Sequence, residues 1–142
     1  MQHVQTRSTT SALVLTAVLI ALATLFTMYT KIPVPGIRGY FNVGDVVIMT
    51  SALLLDQKYG AYIGAIGPAL ADLFLGYAVF VPITFVVKGI EGYLVGTVYN
   101  NKTTTSALVA TIVGGITIVA GYFIAEYFVF DPGVAIASIL TN

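Results

Sequence analysis

Charge is the scarcest property of this sequence. Only 8% of its 142 residues are Asp, Glu, Lys or Arg, and the formal net charge is zero. Soluble domains carry roughly 25% charged residues. Because 58% of the residues are hydrophobic and the mean hydropathy is +0.95, we predict an integral membrane protein built against a lipid bilayer. The balanced charge gives no reason to expect a nucleic-acid partner.

Cysteine and tryptophan are absent, and the single histidine is His3. Without cysteine there is neither a disulfide framework nor a thiolate metal site. No His, Cys or Ser/Lys pair lies at a spacing typical of nucleophilic catalysis within the apolar segments. We therefore predict no catalytic residue, no metal and no cofactor, and a protein that is not an enzyme.

Apolar segments predict five helices, since about 20 apolar residues span a bilayer as a helix. They cover approximately residues 11–29, 43–55, 59–80, 82–99 and 106–130, and a sixth begins at 134 and is too short to span. The first segment also resembles a signal peptide, but its apolar run continues to Tyr29, which favours a membrane helix. The predicted fold class is all-α, a single polytopic membrane helical bundle over residues 1–142.

The distribution of Lys and Arg predicts the orientation. Arg7, Lys58 and Lys102 fall on the side of the N-terminus, whereas Lys31 and Arg38 on the other side are accompanied by acidic residues. Because positive residues are enriched in cytoplasmic segments, this slight bias favours a cytoplasmic N-terminus.

Lys88 and Glu91 stand out because they lie within the apolar run Val81–Val98. A charged residue at the centre of a bilayer costs at least ~2.5–3.5 kcal/mol unless it is paired or faces water. A helical hairpin turning at 78–82 places Asp72 at the depth of Lys88, and Glu91 shares the face of Lys88. Two interpretations remain open: a buried ion-pair network that holds the helices together, or the lining of a ligand pocket.

Further polar candidates cluster in the same half of the membrane. Tyr122 and Glu126 lie near the outer end of the fifth helix, and the loop before the second helix places Tyr40, Phe41 and Asn42 above the predicted pocket. A conduction path carries polar groups through its full depth, whereas a pocket needs them on one side. This asymmetry favours a binding site open to the outside. The alternative is an autonomous ion-coupled secondary carrier that uses Asp72, Lys88 and Glu91.

Ala17 and Ala21 form a small-xxx-small pair on the first helix. Such pairs allow helices to approach closely, either within the bundle or against a partner subunit.

Together these features resemble the substrate-binding S component of energy-coupling factor (ECF) vitamin transporters. The resemblance covers the first five helices and is carried by the loop from Pro33 to Asp45, the Gly/Pro-rich third helix through Ala71-Asp72, the alanine pair, and the block from Pro82 to Gly92. The last block is the most specific. Among S components the chain is most similar to the group assigned to hydroxymethylpyrimidine, pyridoxine or related heterocycles, which is close to the riboflavin-type proteins.

The resemblance implies a six-helix fold, whose sixth helix we expect to be truncated here, and a pocket capped by the first loop. It implies a high-affinity binding subunit of an ATP-driven importer for a small water-soluble vitamin in the bacterial cell membrane. The implied partners are a transmembrane T component, docked through Ala17 and Ala21, and two cytoplasmic ATPase subunits. No Walker motif is present, in agreement with ATP hydrolysis on the partner subunits.

Overall fold

A computed structural model of the protein describes residues 9–33 and 40–129, which form a bundle of five α-helices. The helices are α1 (Thr9–Tyr29), α2 (Gly44–Leu54), α3 (Gln57–Phe74), α4 (Phe80–Val98) and α5 (Thr104–Val129). Two short strands, β1 (Lys31–Pro33) and β2 (Tyr40–Asn42), pair antiparallel between α1 and α2. A short 3-10 turn over Tyr99–Asn101 follows α4.

Three of these helices, α1, α4 and α5, are long and apolar enough to cross a membrane. Helix α2 has only 11 residues, about 16 Å at 1.5 Å per residue, and cannot span a ~30 Å hydrocarbon core alone. The prediction of a helical membrane bundle is confirmed for the described residues. The sixth helix predicted from residue 134 lies outside them.

Helix α3 lies at the centre of the bundle and packs against α1, α2 and α4, while α4 also packs against α5. Small residues dominate the contact between α3 and α4. A Cβ added at Gly64 would collide with the carbonyl oxygen of Lys88, and one added at Gly92 would collide with the carbonyl oxygen of Gly60. The two backbones therefore touch, which fixes the position of Lys88 along α4 relative to α3.

The turn between α3 and α4 differs from the sequence prediction. Helix α3 ends at Phe74 rather than near residue 80, and α4 begins at Phe80 rather than at Pro82. Gly76 has a φ of +83°, the Gly76 amide donates to the carbonyl of Leu73 at 3.2 Å, and the Tyr77 amide donates to that of Asp72 at 2.8 Å. These two hydrogen bonds form a Schellman motif, which needs a residue with positive φ, usually glycine, just after the helix. The prediction failed because the residues around Gly76 are apolar, so their hydropathy alone extends the predicted helix through the turn.

The other helix boundaries lie within two residues of the predicted ones. The loop between the first two helices begins with β1 and ends with β2, which pair with Lys31 opposite Asn42 and Pro33 opposite Tyr40. The Val43 amide donates to the hydroxyl of Thr30 at 3.2 Å, so the start of α2 is held beside the end of α1.

The bundle has two ends, which we call the hairpin end and the opposite end. The hairpin end carries the β1–β2 hairpin, the start of α2, the α3–α4 turn at 75–79 and the last turns of α5. The opposite end carries the α2–α3 turn at 55–56 and the segment 99–103.

Candidate functional site

Lys88 extends from α4 toward the start of α2, and its side chain is only 5% exposed. Its Nζ donates to Oδ1 of Asp45 at 2.6 Å. A second carboxylate oxygen, Oε2 of Glu91, lies 3.5 Å from the same Nζ. One buried ammonium is thus shared by two carboxylates, at unequal distances. Burial of these charges is tolerable because each one faces an opposite charge.

Glu91 is completely buried, with 0% of its surface exposed. Neither of its carboxylate oxygens accepts a hydrogen bond from any part of the chain that the structure describes. Within those residues, its one ion-pair partner is the ammonium of Lys88. A carboxylate has about four acceptor positions, and leaving them empty in a dry interior costs free energy. Glu91 is therefore an acceptor with unused capacity.

A second polar cluster lies beside the first and involves three helices. The hydroxyl of Thr84 on α4 donates to Oδ2 of Asp72 on α3 at 2.5 Å. The hydroxyl oxygen of Tyr122 on α5 lies 2.9 Å from that of Thr84. Because the single hydroxyl hydrogen of Thr84 points to Asp72, Tyr122 must be the donor to Thr84. The result is a chain of hydrogen bonds from α5 through α4 to α3.

The two clusters meet at Lys88. Its Nζ lies 5.7 Å from the centroid of the Tyr122 ring, within the range of a cation–π interaction. Thr84 and Lys88 are four residues apart on α4, so both project from one face of that helix. Helix α4 consequently places one polar face against α2, α3 and α5 at the hairpin end.

Most of the residues predicted from the sequence are found in this region. Lys88, Glu91 and Asp72 are all buried, and Tyr122 joins them through Thr84. Glu126 is also buried, one helical turn beyond Tyr122 on α5. The sequence prediction paired Lys88 with Glu91 and Asp72, whereas the shortest contact of Lys88 is with Asp45.

The loop residues are less completely described. Oδ1 of Asn42 accepts a hydrogen bond from the Gly44 amide at 2.7 Å, so this side chain shapes the turn into α2. Tyr40 and Phe41 lie on β2, and their side chains lie outside the described part of the structure. Their predicted role as a cover over the site stays a prediction.

Two residues of the site were not predicted as such. In the sequence analysis Asp45 appears only as the last residue of the loop that carries the family resemblance, and Thr84 is not singled out. Asp45 carried a usable signal, because a carboxylate at the start of a short membrane helix needs a partner. Thr84 carried a weaker signal: it lies four residues from Lys88, so the two share a face of the helix.

Ala17 and Ala21 are both exposed on α1, whereas Thr16, Ala23, Thr24 and Thr27 of the same helix are buried. The alanine pair is thus not used in packing within the described bundle. Its role as a docking surface stays a prediction.

Comparison with known proteins identifies a matching family and similar proteins. Residues 7–142 match the family described as ECF-type riboflavin transporter, S component. A Pyrococcus woesei protein named "Uncharacterized protein in gap 3'region" is 41% identical over 117 residues, which cover 80% of this chain and 77% of that protein. "Thiamine precursor transporter HmpT" of Lactococcus lactis subsp. cremoris is 30% identical over 128 residues, or 89% of this chain and 71% of that protein.

The family match covers nearly the whole chain, and it includes every residue of the two polar clusters. The predicted resemblance to S components, and the prediction that the chain is not an enzyme, are therefore confirmed. The chain belongs to the family of ECF-type riboflavin transporter S components and is a membrane transporter subunit.

Proposed function

We propose that this chain is the high-affinity substrate-binding subunit of an ATP-driven importer for a small water-soluble vitamin or vitamin precursor. Hydroxymethylpyrimidine and pyridoxine are the favoured substrates, and riboflavin is the larger alternative. The observation that carries the proposal is the convergence of buried polar side chains from four helices at the hairpin end: Asp45, Asp72, Thr84, Lys88, Glu91 and Tyr122. Small-molecule sites combine mostly apolar walls with a few placed polar groups.

Polar groups concentrated at one end support a pocket rather than a conduction path. Toward the opposite end, α3 and α4 touch backbone to backbone at Gly60 and Gly92, which leaves no room for a polar path between these two helices. This contact weighs against the alternative of an autonomous ion-coupled carrier that uses Asp72, Lys88 and Glu91.

The printed name of the Lactococcus lactis relative supports hydroxymethylpyrimidine, because it describes a thiamine precursor transporter. Hydroxymethylpyrimidine is the aminopyrimidine half of thiamine. Pyridoxine has a similar size and also combines an aromatic ring with hydroxyl groups. Both would suit a site in which Tyr122 offers a ring face and Thr84 a hydroxyl.

The family supports a complex with a transmembrane T component and two cytoplasmic ATPase subunits. We propose that Ala17 and Ala21 dock the T component, because both are exposed on a membrane-spanning helix. We place the protein in the cell membrane, bacterial by the family resemblance, with a cytoplasmic N-terminus. The positions of Lys58 and Lys102 at the opposite end support that orientation.

The proposal is tested by mass spectrometry of small molecules that copurify with the full-length protein, followed by calorimetric titration of the stripped protein in lipid nanodiscs. We expect one vitamin or precursor bound at about one molecule per chain. Lys88→Met and Glu91→Gln should each weaken its binding, whereas Asp56→Asn at the opposite end should not. Unchanged affinity in both site variants would instead favour a purely structural ion pair.

The same preparation tests whether uptake needs the partner subunits or can be carried out by this chain alone. Proteoliposomes that contain this chain alone should not accumulate the vitamin under an ion gradient, and addition of the T component, the ATPases and ATP should start uptake. Uptake by the chain alone would overturn the proposed ATP-driven mechanism.

A further inference from the structure

Lys88 and Glu91 lie one helical turn apart on α4, but their side chains do not close on each other. Lys and Glu at this spacing share a helix face and can pair, and a hydrogen bond between an ammonium and a carboxylate is about 2.7–2.9 Å long. Nζ of Lys88 lies 3.5 Å from Oε2 of Glu91, and neither oxygen of Glu91 accepts a hydrogen bond from the part of the chain that the structure describes. A group outside α4 therefore keeps the two apart.

Asp45 on α2 is that group. Its Oδ1 accepts a hydrogen bond from Nζ of Lys88 at 2.6 Å, against 3.5 Å for the contact of the same Nζ with Glu91. Asp45 lies in the first turn of α2, where the helix dipole also favours a negative charge. The ammonium is thus drawn toward α2 and away from the carboxylate on its own helix.

Both ends of the Asp45–Lys88 contact are fixed by close backbone packing. At the start of α2, a Cβ added to Gly44 would collide with the hydroxyl oxygen of Thr27 on α1. On α4, the carbonyl oxygen of Lys88 lies so close to Gly64 of α3 that a Cβ added there would collide with it. Since such contacts leave little freedom, α2 cannot follow the ammonium if it moves inward. The packing of α2 against α1 therefore helps to set the position of Nζ.

The two carboxylates differ in their exposure. The side chain of Asp45 is 23% exposed, whereas that of Glu91 is 0% exposed. Water at the end of the bundle can satisfy an exposed carboxylate, but only a partner within the site can satisfy a buried one. If position 45 loses its charge, we therefore expect the ammonium of Lys88 to move to Glu91.

We propose that Asp45 is a positioning residue of the vitamin site: by holding the ammonium of Lys88, it prevents Lys88 and Glu91 from pairing with each other and keeps both available to the vitamin. This rests on the proposed function and adds to it a residue that acts through Lys88. An ammonium has three donors, so Lys88 retains donors beyond the one that it gives to Asp45. A Lys88–Glu91 pair closed on itself would have to be broken by the ligand, whereas an open pair is preorganised for it.

The first test measures the Lys88–Glu91 contact without ligand, by solid-state NMR of the full-length protein in lipid bilayers. The sequence contains two glutamates, so isotope labels at the Glu carboxyl carbons and the Lys Nζ atoms give few signals, and Glu91→Gln identifies the signal of Glu91. In Asp45→Asn, the dipolar coupling between the two labels should rise as the contact shortens from 3.5 Å to about 2.8 Å. Asp56→Asn, the same chemical change at the opposite end, should leave the coupling unchanged.

The second test measures affinity by calorimetric titration in nanodiscs with hydroxymethylpyrimidine, pyridoxine and riboflavin. Asp45→Asn should weaken binding by about 10-fold, the lower end of the range for a hydrogen bond to a charged group. Its unfolding midpoint should fall less than that of Lys88→Met, because the ammonium still has a carboxylate partner. Asp45→Glu should recover most of the affinity, since it restores the charge. A purely structural role of Asp45 would instead lower affinity only in proportion to stability.

The contradicting outcomes are distinct. An unchanged coupling in Asp45→Asn, an equally strong coupling already present in the unaltered protein, or unchanged affinity in this variant would overturn the inference and leave a vitamin-binding function standing. Binding of none of the three compounds to the unaltered protein would overturn both the inference and the proposed function.

If Asp45→Asn does not fold, the unaltered protein decides. Saturation with the vitamin should then shift the carboxyl signal of Glu91 without strengthening its coupling to Lys88, because the ligand binds the open pair. A coupling that becomes stronger when the vitamin binds would overturn the inference.

Discussion

Helices α3 and α4 pack against each other in two different ways along their length. Toward the opposite end the contact is backbone on backbone, between Gly60 and Gly92. At the hairpin end the same two helices are joined by side chains, with Thr84 donating to Asp72. The glycine contact leaves no space for side chains between the two backbones, whereas the buried charged side chains of the described residues, Asp72, Lys88, Glu91 and Glu126, lie at the hairpin end.

The two ends together show how a small membrane protein can hold buried charge. Close packing at the glycines fixes the relative position of the two helices, since a shift of either would create a clash or a gap. The polar side chains at the hairpin end then meet at defined distances without having to hold the helices together by themselves. We therefore expect the two ends to have separate roles in stability and in binding.

The largest effect is expected from Lys88→Met. This change leaves Asp45 and Glu91 without their shared ammonium, and removal of one partner from a buried ion pair typically costs 3–5 kcal/mol. We expect the free energy of unfolding to fall by about that amount, measured by denaturant titration in micelles.

A neutral variant serves as the control for Lys88→Met. It combines Asp45→Asn, Lys88→Met and Glu91→Gln, so it keeps the approximate side-chain volumes and removes all three charges. Because neutral replacements of whole buried ion pairs are often tolerated, we expect it to recover most of the lost stability. A neutral variant as unstable as Lys88→Met would mean that the loss does not come from unpaired charge.

The next largest effect is expected from Gly92→Ala. The added methyl group would collide with the backbone of Gly60, and overpacking of this kind typically costs 1–3 kcal/mol. Gly115→Ala is the matched control, because no atom lies within 4 Å of a Cβ at that position. A thermal unfolding midpoint that falls equally in both variants would show that the effect does not arise at the α3–α4 contact.

A smaller effect is expected from Thr84→Val, which keeps the shape but removes the hydroxyl between Asp72 and Tyr122. Hydrogen bonds between membrane helices contribute about 1 kcal/mol, so stability should fall by roughly that amount. Thr117→Val on α5 is the control, since the hydroxyl of Thr117 donates to the carbonyl of Val113 on its own helix. Equal losses in the two variants would argue against a bridging role for Thr84.

The smallest effect on the isolated chain is expected from Ala17→Leu. Ala17 is exposed, so stability should change by less than about 0.5 kcal/mol and vitamin affinity should stay the same. Assembly with the T component, measured by pull-down, should nevertheless weaken because a larger side chain prevents close helix contact. Val18→Leu, also exposed on α1, should leave assembly unchanged. Normal assembly of Ala17→Leu would remove Ala17 from the docking surface.

Much of the fold could be predicted because the sequence signals were long and strong. Five apolar segments gave five helices, and the rarity of charge made Lys88 and Glu91 conspicuous. The end of α3 could not be placed, because Gly76 lies among apolar residues that would extend a helix equally well. Short apolar turns carry none of the polar residues by which turns are normally recognised.

The candidate site was predicted only in part, for a different reason. Helical spacing along α4 relates residues of one helix, so it indicated that Glu91 shares the face of Lys88. It could not show that Asp45, 43 residues earlier in the chain, is the closest partner of Lys88. That contact depends on how α2 packs against α4, which spacing within a single helix does not reveal.

We propose that the polar side chains at the hairpin end hold a ligand as well as one another. The most direct test is the vitamin affinity of the neutral variant, measured by calorimetric titration in nanodiscs alongside its unfolding midpoint. We predict that this variant regains the stability lost in Lys88→Met but binds the vitamin at least about 100-fold more weakly than the unaltered protein, as expected when hydrogen bonds to charged groups are lost. A stable neutral variant with unchanged affinity would contradict the claim.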